Sequence, residues 1–286
     1  MDFRVFKCAI RFALVFSLLV VFHGCALAVR TPAYPVPQRE SSAKGPWRGV
    51  FHVHTEFSHD SKASLQKVIA TGRRAGLDFV VVTDHNTLEG KKAYREGAFP
   101  RSPLLVFGNE ISSSDGHLIA LGPETEPPAG LSDSQALIRW IHENKGYAVL
   151  AHPVCRKNPW RSLDKISGYD GLEIYNFSHS FYPVYHPAHA AKVAALAPGF
   201  FLKSFQKKPE ENLALWDEKL GQAQVAGFGA NDAHIHLQFL GMTPENYFLW
   251  FQSVTTYVLA GELEEHAIME ALGEGRSAAV LIPGHG

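Results

Sequence analysis

The chain has 286 residues, of which 46% are hydrophobic and 19% are charged, and its formal net charge is −1. This composition excludes a largely disordered chain, and the balanced charge excludes nucleic-acid binding driven by an excess of Lys and Arg, so no nucleic-acid duplex is expected as a partner. Fifteen histidines are present, and because histidine is the commonest metal ligand, their positions decide what this count means.

Residues 1–28 have the layout of a secretory signal peptide. A basic segment precedes the apolar run 12–22, and the small residues of 26–28 supply a cleavage site. The run is short for a membrane-spanning helix, which needs about 20 residues. We therefore expect an exported protein, periplasmic or extracellular, without a stable membrane span after processing. An uncleaved anchor and a lipid attached at Cys25 are the alternatives.

The proline-rich residues 29–46 are expected to form an extended tether to the folded domain, 47–286. From residue 47, short β-branched runs alternate with amphipathic segments, a pattern typical of βαβ units. The predicted strands are 49–54, 79–83, 104–110, 117–121, 148–152, 172–175, 225–230, 254–259 and 278–282. The predicted helices include 64–75, 132–144, 210–220 and 262–272. About seven βα units in one run favour an α/β barrel, with an open doubly wound sheet as the alternative.

Residues 177–209 interrupt this alternation of strands and helices, and they contain four prolines and three histidines. A long irregular insertion within a compact domain is often functional, so one interpretation is a lid over a site. The other interpretation is a surface loop whose own aromatic residues pack against one another.

Residues of the metal-ligand type stand at or near the ends of most predicted strands. In a parallel barrel these carboxyl-terminal ends share one rim, where such enzymes assemble their sites. Alternate residues of a strand face the same side, so His52 and His54 can bind one ion. The direction of His117, which opens its strand, stays undecided. The candidates are His52, His54, Asp60, His85, Glu110, His117, His152, Asp232 and His234.

Imidazoles and carboxylates without thiolates suit Zn²⁺, Mn²⁺ or Fe²⁺ better than a dedicated Ca²⁺ or Mg²⁺ cage. Nine candidate ligands exceed the needs of one tetrahedral ion. We therefore expect two or three divalent metal ions as cofactors.

These residues carry a family resemblance. The motifs His52-x-His54, Asp60, Thr83-Asp84-His85, Glu110-Ile111-Ser112, His117, His152-Pro153 and Asp232-Ala233-His234 resemble those of the PHP (polymerase and histidinol phosphatase) superfamily, over residues 48–236. The resemblance implies a distorted (β/α)7 barrel with a trinuclear metal site. It implies a first ion held by His52, His54, Glu110 and Asp232. It implies that Glu110 bridges to a second ion held with His117 and His152, and that a third is held by Asp60, His85 and His234.

Other residues near the rim have candidate roles. Asp84 is interpreted either as an outer partner that orients an imidazole or as a cap of the strand end. The candidate general acids are Asp84, His85 and a metal-bound water. Arg156 is either a bidentate phosphate clamp or part of an ordinary charged loop. Cys155 is rejected as a nucleophile because no dedicated base accompanies it. Glu173 also ends a strand, and a structural role is favoured for it.

The chain contains no Gly-x-Ser-x-Gly elbow, Walker loop or dinucleotide fingerprint. The expected nucleophile is therefore a hydroxide that bridges metal ions, and the expected reaction is hydrolysis of a small-molecule phosphate ester. The resemblance implies phosphomonoesters such as nucleotides or sugar phosphates. An amidohydrolase-type metal-dependent hydrolase and a non-catalytic metal-binding domain are the alternatives.

Overall fold

A computed structural model describes residues 46–155, 159–181, 208–235 and 247–281. The predicted signal peptide, nearly all of the tether, Arg156 and most of the 177–209 insertion lie outside these residues. The strands are β1 (Trp47–Val53), β2 (Phe79–Val82), β3 (Leu104–Ser112), β4 (His117–Leu121), β5 (Tyr147–Leu150), β6 (Gly171–Asn176), β7 (Ala226–Ala233), β8 (Val254–Val258) and β9 (Ser277–Leu281). The helices are α1 (Leu65–Arg74), α2 (Glu89–Glu96), α3 (Ser134–Glu143), α4 (Phe177–Phe181), α5 (Glu210–Leu220), α6 (Tyr247–Phe251) and α7 (Glu265–Gly273).

Strands β1 to β7 close into a barrel. They pair in chain order, and β1 completes the ring by pairing with β2 through Gly49 and with β7 through Phe51. Strands β8 and β9 extend the sheet outside the ring, where β8 runs antiparallel to the first residues of β1. The predicted distorted (β/α)7 barrel is thus confirmed, and the open sheet is wrong.

The barrel strands are buried on both faces. Phe79 and Val81 of β2 belong to one hydrophobic cluster, which also includes Phe51 and Phe228 of neighbouring strands. Val80 and Val82 belong to a second cluster that includes residues of α1 and α6. Because successive strand residues face opposite sides, the unbroken apolar run of β2 fills two layers at once.

Strand β4 runs antiparallel to both of its neighbours, β3 and β5. The parallel βαβ pattern that the sequence predicts is therefore interrupted at this strand. Only residues 113–116 separate β3 from β4, whereas a parallel crossover needs about a dozen residues. The reversal brings the first residue of β4, His117, opposite Ser112 at the end of β3. His117 consequently lies on the same rim as the carboxyl ends of the parallel strands.

Helix α1 shows how local sequence supports the barrel wall. The Ser64 side chain caps the helix by accepting a hydrogen bond from the backbone N–H of Lys67, at 3.2 Å. The helix buries Leu65, Val68 and Ile69 in the cluster that also contains α6. No helix of the described residues is long and apolar enough to cross a membrane.

Helix α6 ties two strand ends together. Its Tyr247 hydroxyl lies 2.6 Å from the carbonyl oxygen of His54 and 2.8 Å from that of Ala233. His54 directly follows β1, and Ala233 is the last residue of β7. The buried tyrosine therefore fixes the spacing of the two chain segments that carry four of the candidate ligands.

Candidate metal centre

All nine sequence-predicted metal ligands lie together at one rim of the barrel. Asp60, His85 and His117 are partly buried and the other six are buried. The side chains of Asp60 and His117 are each 25% exposed, so solvent reaches the cluster from their side. The nine residues fall into three donor sets, and Glu110 contacts members of all three.

The first donor set consists of four atoms: His52 Nε2, His54 Nε2, Glu110 Oε2 and Asp232 Oδ1. The two imidazole nitrogens lie 3.0 Å apart, and Glu110 Oε2 lies 2.9 Å from His52 and 3.1 Å from His54. Asp232 Oδ1 lies 3.5 Å from each nitrogen. These are the residues for which the resemblance implies the first ion.

The second donor set is built on the other oxygen of Glu110. Its Oε1 lies 2.8 Å from His117 Nδ1 and 3.1 Å from His152 Nε2. One carboxylate therefore presents Oε2 to the first set and Oε1 to the second. This is the arrangement that a ligand shared between two ions requires.

The third donor set lies beside His54, whose ring stacks near those of His85 and His234. Asp60 Oδ2 is 3.1 Å from His234 Nε2 and 3.4 Å from His85 Nε2. A donor atom of His54 belongs to the same group, all members of which lie within 4.8 Å of one another.

The spacing of the donor atoms fits divalent metal ions. Ligands at about 2.1 Å from a common ion lie roughly 3.4 Å apart in tetrahedral and 3.0 Å apart in octahedral coordination. The contacts within the three sets run from 2.8 Å, between His117 and Glu110, to 3.5 Å, at Asp232. Nitrogen and carboxylate donors without a thiolate in these sets suit a borderline transition-metal ion.

Several imidazoles of the centre are held from outside by a second polar group. His52 Nδ1 lies against Glu173 Oε1, His54 Nδ1 lies 3.3 Å from the Ser58 hydroxyl, and His234 Nδ1 lies 2.9 Å from the Asp232 carbonyl oxygen. Metal-binding histidines use their second ring nitrogen in this way, which fixes the tautomer and the ring orientation.

Glu173 was assigned only a structural role from the sequence, yet it contacts two of the donor sets. It is fully buried; besides meeting His52, its Oε2 accepts hydrogen bonds from the backbone N–H of His152 at 2.8 Å and from Asn176 at 2.9 Å. Asn176 also donates to Asp232, at 3.2 Å. The available signal was a carboxylate within an apolar strand, since Glu173 is the third residue of β6.

The backbone is strained at three candidate ligands. His52, His152 and Asp232 have φ angles of 67°, 32° and 49°, in the left-handed region that L-residues with large side chains rarely adopt. The pairings of β1 are also irregular between Val50 and Val53. His52 and His54 therefore reach one point through a bulge that re-aims a side chain, rather than through regular strand alternation. Such strain clusters at functional sites.

Asp84 does not orient an imidazole. Its Oδ1 accepts from the backbone N–H of Thr55, and its Oδ2 accepts from the Thr55 hydroxyl at 2.6 Å. Burial raises the pKa of Asp84. The carboxyl group holds the backbone of Thr55, in the chain segment that follows β1. The interpretation of Asp84 as an outer partner of a ligand is therefore wrong, whereas His85 lies within the third donor set.

The statement that no base accompanies Cys155 is also wrong. Cys155 Sγ lies 2.8 Å from His179 Nδ1 on α4, and His179 Nε2 lies 3.3 Å from Asp232 Oδ2. The sequence could not reveal this pair, because the two residues are brought together only by the pairing of β5 with β6.

Protonated imidazoles balance the buried carboxylates of the metal-free chain. Burial alone would lower the pKa of His54, but hydrogen bonds to Asp232 and Glu110 raise it to about 9. Burial would raise the pKa of Glu110, but the imidazoles around it, led by His52, hold it well below its usual value. Because metal ions bind deprotonated imidazoles, occupancy by metal would displace these protons.

Comparison with known proteins identifies the family. The PHP domain family model matches residues 51–199, slightly more than half of the chain. The chain belongs to the PHP domain family. This match contains seven of the nine candidate ligands and ends before Asp232 and His234, which the structure places beside the other seven through the pairing of β1 with β7.

Two relatives of this PHP chain extend the comparison. An uncharacterized protein of Methanocaldococcus jannaschii is 29% identical over 141 residues, which are 45% of this chain and 81% of that protein. A two-domain protein of Bacteroides vulgatus, described as containing a predicted PHP-like metal-dependent phosphoesterase, has a crystal structure that superposes with a TM-score of 0.52. The two chains are 18% identical, and the superposition covers 86% of this chain and 69% of the other. At this identity the likeness concerns the fold.

Proposed function

We propose that the protein is a metal-dependent phosphoesterase that hydrolyses small phosphomonoesters, such as nucleotides or sugar phosphates. The observation that carries this proposal is the position of Glu110, whose two oxygens face two different donor sets. A shared carboxylate implies at least two neighbouring ions, and paired ions are suited to in-line displacement at phosphorus.

The charge of the site supports an anionic substrate. The donor sets contain the three carboxylates of Asp60, Glu110 and Asp232, so two divalent ions already exceed their negative charge. When bound, such ions neutralise phosphoryl oxygens and lower the pKa of a water molecule. Membership of the PHP domain family agrees with this chemistry.

The residues of the chain have distinct roles in this proposal. The nine candidate ligands hold two or three ions of Mn²⁺, Zn²⁺ or Fe²⁺ in the sets described above. Glu173 and Ser58 hold the rings of His52 and His54 in the tautomer that leaves Nε2 for the ion. Of the predicted acid candidates, His85 lies in the site and its side chain is 8% exposed. Arg156, the proposed phosphate clamp, lies outside the described residues.

The first experiment combines metal analysis with a substrate panel. The purified protein, loaded with Mn²⁺, Zn²⁺ or Fe²⁺, is assayed with p-nitrophenyl phosphate, bis(p-nitrophenyl) phosphate and p-nitroacetanilide. We expect hydrolysis of the monoester above that of the diester, and no release from the anilide, which represents the amidohydrolase alternative. The matched variants are Glu110→Gln in the shared carboxylate and Glu143→Gln on the exposed end of α3.

The proposal fails if the protein binds two or more equivalents of metal but hydrolyses none of the phosphoesters, and if replacing His52 leaves the metal content unchanged. That outcome would favour the non-catalytic metal-binding domain. Hydrolysis of the anilide alone would instead favour an amidohydrolase.

Export is a separate part of the proposal and rests on residues 1–28 of the sequence. We expect the mature protein to begin at residue 29 and to lie in the periplasm or outside the cell. Intact mass measurement of the protein from fractionated cells tests this. A mature chain that retains residues 1–28, or one that begins at a lipid-modified Cys25, would contradict it.

A further inference from the structure

His179 and Cys155 meet at one edge of the metal centre, although neither belongs to the nine candidate ligands. Cys155 follows β5 and His179 lies on α4, directly after β6. Strands β5 and β6 are parallel neighbours, so the chain segments after them share a sector of the rim. The pairing of these two strands therefore places both residues at the site.

The imidazole of His179 has one nitrogen directed at the centre. His179 Nε2 lies 3.3 Å from Asp232 Oδ2, and the rings of His179 and His152 have their centroids 4.5 Å apart. Donor atoms of His152, His179 and Asp232 all lie within 4.8 Å of one another. This group shares His152 with the second donor set and Asp232 with the first.

His152 connects this edge to the proposed metal centre. The residue is 6% exposed, and its Nε2 lies 3.1 Å from Oε1 of Glu110 in the second donor set. His179, whose donor atom lies within 4.8 Å of those of His152 and Asp232, is therefore positioned beside ligands of two donor sets.

The other nitrogen of His179 is held from outside. His179 Nδ1 lies 2.8 Å from Cys155 Sγ, and the Asn176 side chain accepts a hydrogen bond from the His179 backbone N–H at 3.0 Å. The same two-sided arrangement is found at His52, which Glu173 holds, and at His54, which Ser58 holds. His179 is thus placed as the candidate metal ligands are placed.

We infer that His179 is a further imidazole ligand of the metal centre and that Cys155 positions it. His179 Nε2 binds a divalent ion of the Zn²⁺, Mn²⁺ or Fe²⁺ class together with His152, and Nδ1–H donates to the sulfur of Cys155. This adds a protein donor beside His152 of the second set and Asp232 of the first. The inference rests on the proposed metal centre.

Metal binding without substrate tests the inference. The full chain and three variants, His179→Asn, Cys155→Ala and His266→Asn, are equilibrated with buffered free Mn²⁺ or Zn²⁺, and bound metal is counted by mass spectrometry. His266 is the matched control because it is exposed on α7. The Co²⁺-loaded proteins are compared by absorption spectroscopy, which reports the coordination of the ion.

We expect His179→Asn to lose about one equivalent of metal at free-metal concentrations that saturate the wild type, and to show an altered Co²⁺ spectrum. Cys155→Ala should keep the stoichiometry but weaken the affinity of that equivalent by roughly 10- to 100-fold, as the loss of an outer partner does. His266→Asn should match the wild type. Circular dichroism checks folding, and Cys155→Ala carries the test alone if His179→Asn does not fold.

The inference is overturned if His179→Asn, or Cys155→Ala in its place, matches the wild type in stoichiometry, affinity and Co²⁺ spectrum. It is also overturned if His179→Asn raises only the KM for a phosphoester with metal binding unchanged, because His179 would then contact substrate. A wild type that binds ions but hydrolyses no phosphoester contradicts the proposed function and leaves the metal-binding comparison intact. A wild type that binds no ion contradicts both.

Discussion

The Nδ1 atom of His52 lies 2.5 Å from Oε1 of Glu173. The other oxygen of the same carboxylate accepts the backbone N–H of His152, at 2.8 Å. One buried side chain therefore positions a candidate ligand of the first donor set and one of the second. Both of these histidines have positive φ angles, so Glu173 acts where the backbone is strained.

Replacing Glu173 with Gln is expected to weaken metal binding and activity by roughly 10- to 100-fold. Glutamine keeps the size of the side chain but removes the negative charge beside His52. Metal titration and kcat with p-nitrophenyl phosphate measure the effect. Glu143→Gln is the control, since Glu143 is exposed at the end of α3. Unchanged metal affinity in Glu173→Gln would show that the contact is structural only.

Replacing Glu110 with Ala is expected to cost at least ~10²-fold in activity, because metal ions supply several kcal/mol of transition-state stabilisation. The loss should be accompanied by the release of more than one equivalent of metal, since both oxygens of Glu110 face donor sets. Elemental analysis of the dialysed variant measures this. Release of a single equivalent would contradict a shared ligand.

Replacing Asp84 with Asn is expected to act on stability rather than on proton transfer. Asp84 accepts two hydrogen bonds from Thr55, which follows His54, and hydrogen bonds to a charged group contribute about 2 kcal/mol each. Denaturant unfolding should show a loss of this order. Thr55→Val, which removes only the hydroxyl bond, should lose less. A shifted alkaline limb of the pH–rate profile in Asp84→Asn would instead support a general acid.

The stability of the metal-free chain is expected to fall as the pH rises. The pKa of His54 is raised from 6.5 to about 9, so the folded chain retains a proton that the unfolded chain releases at lower pH. This contribution is complete below pH 6.5 and is lost as the pH rises through 9. Thermal melts in a chelator should show Tm falling across this interval. Metal-loaded protein should lack this fall, because ions replace the protons. A constant Tm in the chelator would contradict the expectation.

The strand positions were predictable from the sequence because a barrel strand buried on both faces appears as a short apolar run. All nine predicted strands are present, β4 with the predicted ends and the other eight with shifted ends, and the helix predicted at 64–75 is found as Leu65–Arg74. Helix α2 was missed because it is short and its first turn has no side-chain cap. The ligand-type residues were visible because polar residues at the ends of apolar strands are conspicuous.

The contacts between strand ends were not predictable. That Glu173 meets His52, and that Cys155 meets His179, depends on which strands are neighbours and on left-handed backbone at His52 and His152. The spacing of these residues along the chain predicts neither contact. The direction of β4 was predictable in principle, because residues 113–116 are too few for a parallel crossover.

The reversal of β4 also decides where the pocket wall can vary. Residues 113–116 form a tight turn at the rim, where Ser113 donates to the Gly116 carbonyl and Trp160 covers Gly116 so closely that a Cβ there would lie 2.5 Å from the indole. Trp160 in turn donates to the carbonyl of Ala151, next to His152. A longer β3–β4 turn would displace this indole and disturb a candidate ligand. The turn is also tied to the chain that returns from β4, because the backbone N–H of Ser114 donates to the carbonyl of Ser132 at 2.7 Å. The pocket wall is therefore fixed in length at this turn.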